Sequence, residues 1–240
     1  MNRGKSRTMA LGRRVHLLGE KMVEKYASAV VCLLVALSLG GDRPENDRQV
    51  EEVVAKTIVA VGDSLTAGYG VNIDESYPAV LEEKLRQAGY AYQVINAGVS
   101  GETSSGTLAR LDWVLTLDPD AVILTIGAND GLRAIDPDLV EANLRQIIEQ
   151  LQQRDIVVIF AGMKMVANLG PGYVSRFNRI YPSLAREYGV AFYPFFLDGV
   201  AMQPAYNLAD GIHPNAAGYQ IIADNIYPVV LEALAGGQGQ

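Results

Sequence analysis

TIVAVGDSLTAGYG, residues 57–70, is an apolar run that stops abruptly in a glycine-rich turn. Thr57-Ile58-Val59-Ala60-Val61 shows no alternation with polar residues. A short unbroken apolar run reads as a strand buried on both faces, as parallel strands are. Gly62, Gly68 and Gly70 bracket Ser64. Three readings of the turn follow: a phosphate cradle, a loop that presents a nucleophile, or a plain tight turn.

The pattern repeats along the chain. Further apolar, β-branched runs stand at Tyr92–Ile95, Ala121–Ile126, Ile156–Phe160 and Val190–Tyr193. Helix-like segments separate them at Tyr77–Ala88, Thr103–Leu117, Pro137–Arg154 and Val174–Tyr188. A last helix is expected from Pro214, bent or broken near Pro228. Ser76 before Tyr77-Pro78, Asp136 before Pro137, and His213 before Pro214 read as helix starts, where proline is tolerated because that N–H is unpaired anyway. Strand and helix in turn, five times over, predict an α/β fold: a three-layer α/β/α sandwich with a parallel sheet.

The ends differ from this body. Half of the 240 residues are apolar and a fifth are charged, and the net charge is -7. Residues 1–41 carry Arg3, Lys5, Arg7, Arg13, Arg14, Lys21 and Lys25 against Glu20 and Glu24, so the remainder is strongly acidic. An acidic body is a poor partner for nucleic acid. The basic stretch runs into an apolar segment at 27–40, about the length of a signal-peptide core and short for a membrane span. Ser38 and Gly40 have the spacing a signal peptidase reads. Residues 1–41 are therefore expected to be a signal peptide, with Met1, Met9 or Met22 as the start and an exported, periplasmic or extracellular product. An uncleaved anchor through residues 27–40, giving membrane association, and a core helix are the alternatives. Residues 42–55 read as a polar linker, 56–235 as the folded domain and 236–240 as a tail. The single cysteine, Cys32, lies in the apolar segment. The body thus offers no disulfide, no thiolate nucleophile and no cysteine-ligated metal.

In open parallel sheets, ligands meet the loops that leave the carboxyl ends of the strands. Those loops carry Gly62-Asp63-Ser64-Leu65, Asn96 to Gly101, Gly127 to Gly131, Ala161 to Gly172 and, farther on, Asp210-Gly211-Ile212-His213-Pro214. A nucleotide loop is excluded: no glycine here is followed by lysine at Walker spacing, and no Gly-x-Gly-x-x-Gly occurs. Acyl transfer needs a nucleophile, a base, a group that orients the base, and donors for the oxyanion. Of the two histidines, His16 lies in the leader, which leaves His213. Asp210, three residues earlier, can turn back onto its Nδ1. Ser64 is the candidate nucleophile, with a helix cap as the bland alternative. The N–H groups of Gly98 and Ser64 and the Asn129 amide are candidate oxyanion donors; an Asx turn is the alternative for Asn129.

These residues resemble the blocks of the SGNH, or GDSL, hydrolase superfamily. Gly62-Asp63-Ser64-Leu65, Gly98, Gly127-Ala128-Asn129-Asp130 and Asp210-Gly211-Ile212-His213-Pro214 stand in the family's order. The longer strings through Gly70, Arg133 and Asn215 are similar to the arylesterase, thioesterase I and lysophospholipase branch. The resemblance implies a flavodoxin-like five-stranded parallel sheet, Ser64 as nucleophile, His213 as base, Asp210 as its orienter, and an oxyanion hole of Ser64, Gly98 and Asn129. It implies hydrolysis of small acyl esters or thioesters by a monomer, with no metal and no cofactor. Met163, Met165, Val166 and Leu169 are expected to line an acyl groove, with loop methionines packing on the core as the alternative. Ala128, where the branch often has glycine, should be tolerated unless the backbone needs a positive φ. A polysaccharide deacetylase with the same triad and a non-catalytic binding protein are the rival expectations.

Overall fold

The computed structural model describes residues 56–165 and 169–236. The expected leader, the linker, Val166 and all but the first residue of the tail lie outside them. Five strands form one parallel sheet: β1 (Lys56–Gly62), β2 (Tyr92–Gly98), β3 (Ala121–Thr125), β4 (Val157–Ala161) and β5 (Ala191–Tyr193). Their order is β2-β1-β3-β4-β5. The chain thus reverses direction across the sheet at β1 and β3, the kind of switch point where a crevice opens. Gly62 stands opposite both Gly98 of β2 and Thr125 of β3, so the three carboxyl ends finish level.

Helices cover both faces. They are α1 (Ser64–Ala67), α2 (Tyr77–Gln87), α3 (Ser104–Ala109), α4 (Leu111–Leu115), α5 (Ala128–Leu132), α6 (Pro137–Gln152), α7 (Pro171–Tyr188) and α8 (Ala216–Gly236). Helix α3 packs on α6 and α6 on α7, and the right-handed rule for parallel crossovers sets this group on the face opposite α2. Helix α8 packs beside α2. Strands β1 and β3 are central, and every residue of β3 is buried, which is why their sequences do not alternate. Among the described residues, no helix is long and apolar enough to cross a membrane.

Three local expectations are corrected. The segment 103–117 is two helices, because Arg110 leaves the helical geometry at φ -106°. Its guanidinium turns to Glu102 and the Ala97 carbonyl. The last helix starts at Ala216 rather than at Pro214, with Asn215 as the cap: its Oδ1 accepts from the Gly218 N–H at 3.0 Å. That helix also continues through Pro228. A proline inside a helix costs about 3 kcal/mol. Tyr219, Ile222, Ala223, Ile226, Val230 and Leu234 form one buried stripe across it. At about 1.5–3 kcal/mol for each large side chain, that burial outweighs the missing bond.

Candidate active site

The turn after β1 is built by Asp63. Its Oδ1 accepts the Leu65 N–H at 3.0 Å and caps α1, so the cap is Asp63 and not Ser64. Ser64 is the first residue of α1 and stands at the carboxyl edge of the sheet. Its Oγ lies 2.9 Å from His213 Nε2. His213 Nδ1 lies 2.7 Å from Asp210 Oδ2. The other oxygen of Asp210 accepts the backbone N–H groups of Ile212 and His213 at 2.9 and 3.0 Å.

This second arm is held by its own small loop. Leu208 N–H donates to the His213 carbonyl, and Gly211 N–H to the Leu208 carbonyl. The His213 N–H, the His213 ring and the Ile212 N–H, in that order, hold the Asp210 carboxyl down to about 2. Asp210 is therefore ionised and can only accept. An acceptor at Nδ1 favours the neutral tautomer that carries its proton there and turns the Nε2 lone pair toward Ser64. Tyr69 stacks on the imidazole, with ring centres 4.5 Å apart and planes tilted by 41°.

Asn129 lies in α5, beside the turn. Its Nδ2 donates to Asp63 Oδ2 at 3.1 Å. Asn129 is helical, and among the described residues no backbone N–H donates to its Oδ1, so it closes no Asx turn. Asp63 is fully buried. Burial pushes its carboxyl up to about 6, against the pull of the Leu65 N–H, the Asn129 amide and His213; Asp130 adds to the rise. Asp130 is also buried and is spent on the Ser104 N–H and hydroxyl, at 2.8 and 2.6 Å. The positive φ of this block, 118°, falls on Gly127. Ala128 is helical, which is why alanine is tolerated there.

Gly98 does not offer the donor expected of it. Val99 N–H points at Gly62 of β1, so the Gly98 N–H, one residue earlier, points to the outer side of this edge strand. There Asn96 Oδ1 takes it at 3.0 Å. A Cβ on Gly98 would come within 2.2 Å of the Ala67 nitrogen, so this glycine serves the close seating of α1 on β2. Three residues on, Val99-Ser100-Gly101-Glu102 closes a turn through the Glu102 N–H and the Val99 carbonyl. Gly101 has φ 80°, the type II signature. Arg133 donates to its carbonyl at 2.8 Å, while Glu102 is paired with Arg110. Among the described residues, no hydrogen bond takes the N–H of Gly101 or of Ser64. The chain shows Gly101 only as a glycine in a loop rich in them, and hydrogen-bond use depends on strand register.

The expected groove divides. Met163 is 3% exposed and belongs to the hydrophobic core, so it lines no open groove. Met165 is half-buried; its N–H donates to Asn178 Oδ1 and its side chain covers Gly131 at the end of α5. Leu169 is half-buried. Among the described residues, no group of acidic, histidine or cysteine side chains could hold a metal ion.

Residues 60–221 match the model of the GDSL-like Lipase/Acylhydrolase family. Esterase TesA of Pseudomonas aeruginosa is 35% identical over 75% of this chain and 90% of its own length. Thioesterase 1/protease 1/lysophospholipase L1 of Escherichia coli is 38% identical over 71% of this chain and 81% of its own. The crystal structure of AlinE4, an SGNH-hydrolase family esterase, superposes with a TM-score of 0.64 at 41% identity, covering 75% of this chain and 97% of that one. The chain belongs to the GDSL-like lipase/acylhydrolase family and is an ester-hydrolysing enzyme.

Proposed function

We propose that Ser64 is the acylated nucleophile of a serine esterase acting on small acyl esters or thioesters. The observation that carries this is the unbroken relay from Ser64 Oγ to His213 Nε2 at 2.9 Å and from Nδ1 to Asp210 at 2.7 Å. His213 takes the Ser64 proton as Oγ attacks the carbonyl carbon, and gives it to the leaving alcohol or thiol. Water then attacks the acyl-enzyme, with His213 again as base. Asp210 holds the tautomer that makes both transfers possible.

The oxyanion is received by the Ser64 N–H, the Asn129 amide and a glycine N–H from the loop after β2. Gly101 takes the place first expected of Gly98, because its N–H is unspent and the Arg133 bond fixes its turn. Each such donor is worth about 3–4 kcal/mol in serine hydrolases. Met165, which lies against Gly131 of α5, and Leu169 are proposed to contact an apolar acyl group. The names of the relatives, esterase, thioesterase and lysophospholipase, support a broad acyl range rather than one substrate. Residues 1–41 are proposed to export the enzyme, which sequencing the N-terminus of the exported protein would test.

The test is hydrolysis of p-nitrophenyl esters of increasing chain length. The wild type is expected to turn over esters longer than acetyl. Ser64→Ala is expected to lose about 10⁴-fold or more in kcat. Unchanged turnover in Ser64→Ala would sink the nucleophile. Activity confined to acetyl esters would move the enzyme to polysaccharide deacetylation.

A further inference from the structure

Asp63 adjoins the nucleophile but takes no part in the relay. Capping α1 does not require a charge, since serine or asparagine caps as well. A buried carboxylate is costly unless each oxygen is well used. One oxygen holds the Leu65 N–H. The other holds Asn129 Nδ2 at 3.1 Å, and this contact is the informative one.

A side-chain amide has a donor end and an acceptor end of nearly equal shape. Nothing in its bulk decides which end faces a site. An ionised carboxylate, which only accepts, admits the NH2 end and repels the carbonyl. The NH2 group then has one hydrogen on Asp63 and a second left over. With the amide reversed, its carbonyl oxygen would stand where that second hydrogen was, against the developing oxyanion.

We propose that Asp63 is a positioning residue that selects the donor end of the Asn129 amide and so sets the polarity of the oxyanion hole. The proposal rests on reading Asn129 as an oxyanion donor. The titratable groups around Asp63 are His213 from the loop before α8, Asp130 of α5, Tyr77 of α2, Tyr181 of α7 and Tyr219 of α8. Asp130 is committed to Ser104. Tyr181 donates to the Ile126 carbonyl. Of these, His213 alone can lend positive charge. A protonated Asp63 could donate to the amide carbonyl, so acid favours the reversed amide.

The experiment compares kcat/KM on one p-nitrophenyl ester for wild type, Asp63→Asn, Asn129→Ala and the double variant, with thermal unfolding alongside. In Asp63→Asn, the single oxygen serves the Leu65 N–H, and the new NH2 group draws the Asn129 carbonyl round. Asn129→Ala is expected to lose about 100-fold. Asp63→Asn is expected to lose at least as much, with a Tm at neutral pH no lower than wild type. The double variant is expected to be no worse than Asn129→Ala alone, since no amide is left to reverse. A purely structural Asp63 would instead lower Tm and activity together, and its loss would multiply with that of Asn129→Ala. That multiplication, or near-wild-type kcat/KM in Asp63→Asn beside an impaired Asn129→Ala, overturns the proposal alone. A fully active Asn129→Ala removes the donor reading as well. If Asp63→Asn does not fold, the acid limbs of wild type and Asn129→Ala decide. The wild-type limb should be steeper by one proton, and equal slopes overturn the proposal.

Discussion

Two carboxylates approach the Ser64–His213 pair from opposite surroundings. Asp63 is enclosed between β1 and α5, holds two donors, and is pushed up to about 6. Asp210 sits in a surface loop with its side chain 38% exposed, holds three donors, and is drawn down to about 2. The difference teaches that charge is held where donors converge, even in the open. Burial alone works against it. The exposed carboxylate stays ionised throughout the pH range of ordinary work. The buried one is ionised at neutral pH at a cost to the fold.

The largest effect that could break this contrast is on the outer side. Asp210→Asn replaces an obligate acceptor with a group that can donate to His213 Nδ1, and so favours the wrong tautomer. An exchange of this kind costs about 10⁴-fold in kcat in serine proteases. A similar fall is expected in steady-state kinetics, and a loss below tenfold would show that the tautomer is set elsewhere. On the inner side the expected effect is on stability. A carboxyl whose folded value is raised keeps its proton in the folded chain while the unfolded chain releases it. Stability therefore falls as pH rises from about 4 to about 6, and stays lower above. Asp63→Asn cannot titrate, so it should gain on wild type across that window by about 3 kcal/mol. Denaturant unfolding of both proteins at about pH 4 and pH 8 measures the gain, and an unchanged difference would mean that Asp63 is not strained. The smallest effect lies between the two carboxylates. Tyr69→Ala uncovers His213, and a loss of about fivefold in kcat/KM is expected, in line with about 1 kcal/mol for an aromatic contact. Tyr69→Phe should keep the wild-type rate.

Much of this was legible in the chain, for stated reasons. The strands were legible because β1 and β3 are buried on both faces and must be apolar without interruption. The relay residues were legible because imidazole is scarce here and Asp210 lies within one turn of His213. The rest depended on contacts between segments. Whether Gly98 or Gly101 has a free N–H depends on which side of an edge strand faces β1. The break at Arg110 follows from a side chain that serves Glu102 and Ala97. The persistence of α8 past Pro228 follows from the stripe it buries. Met163 looks like a loop residue by position and is a core residue by packing. None of these is visible in local composition.

Ser64 and His213 touch across 149 positions of chain, and the last helix begins only after the second of them. A polypeptide that emerges with its N-terminus first carries Ser64 without His213 for most of its emergence. The pair forms only once the loop before α8 has been made and brought back to the carboxyl end of β1. Competence therefore arrives as one late event rather than by degrees, and a chain cut short before residue 210 is inert however well its first strands have paired. Turnover of an ester therefore reports that two distant stretches of the chain have been brought together.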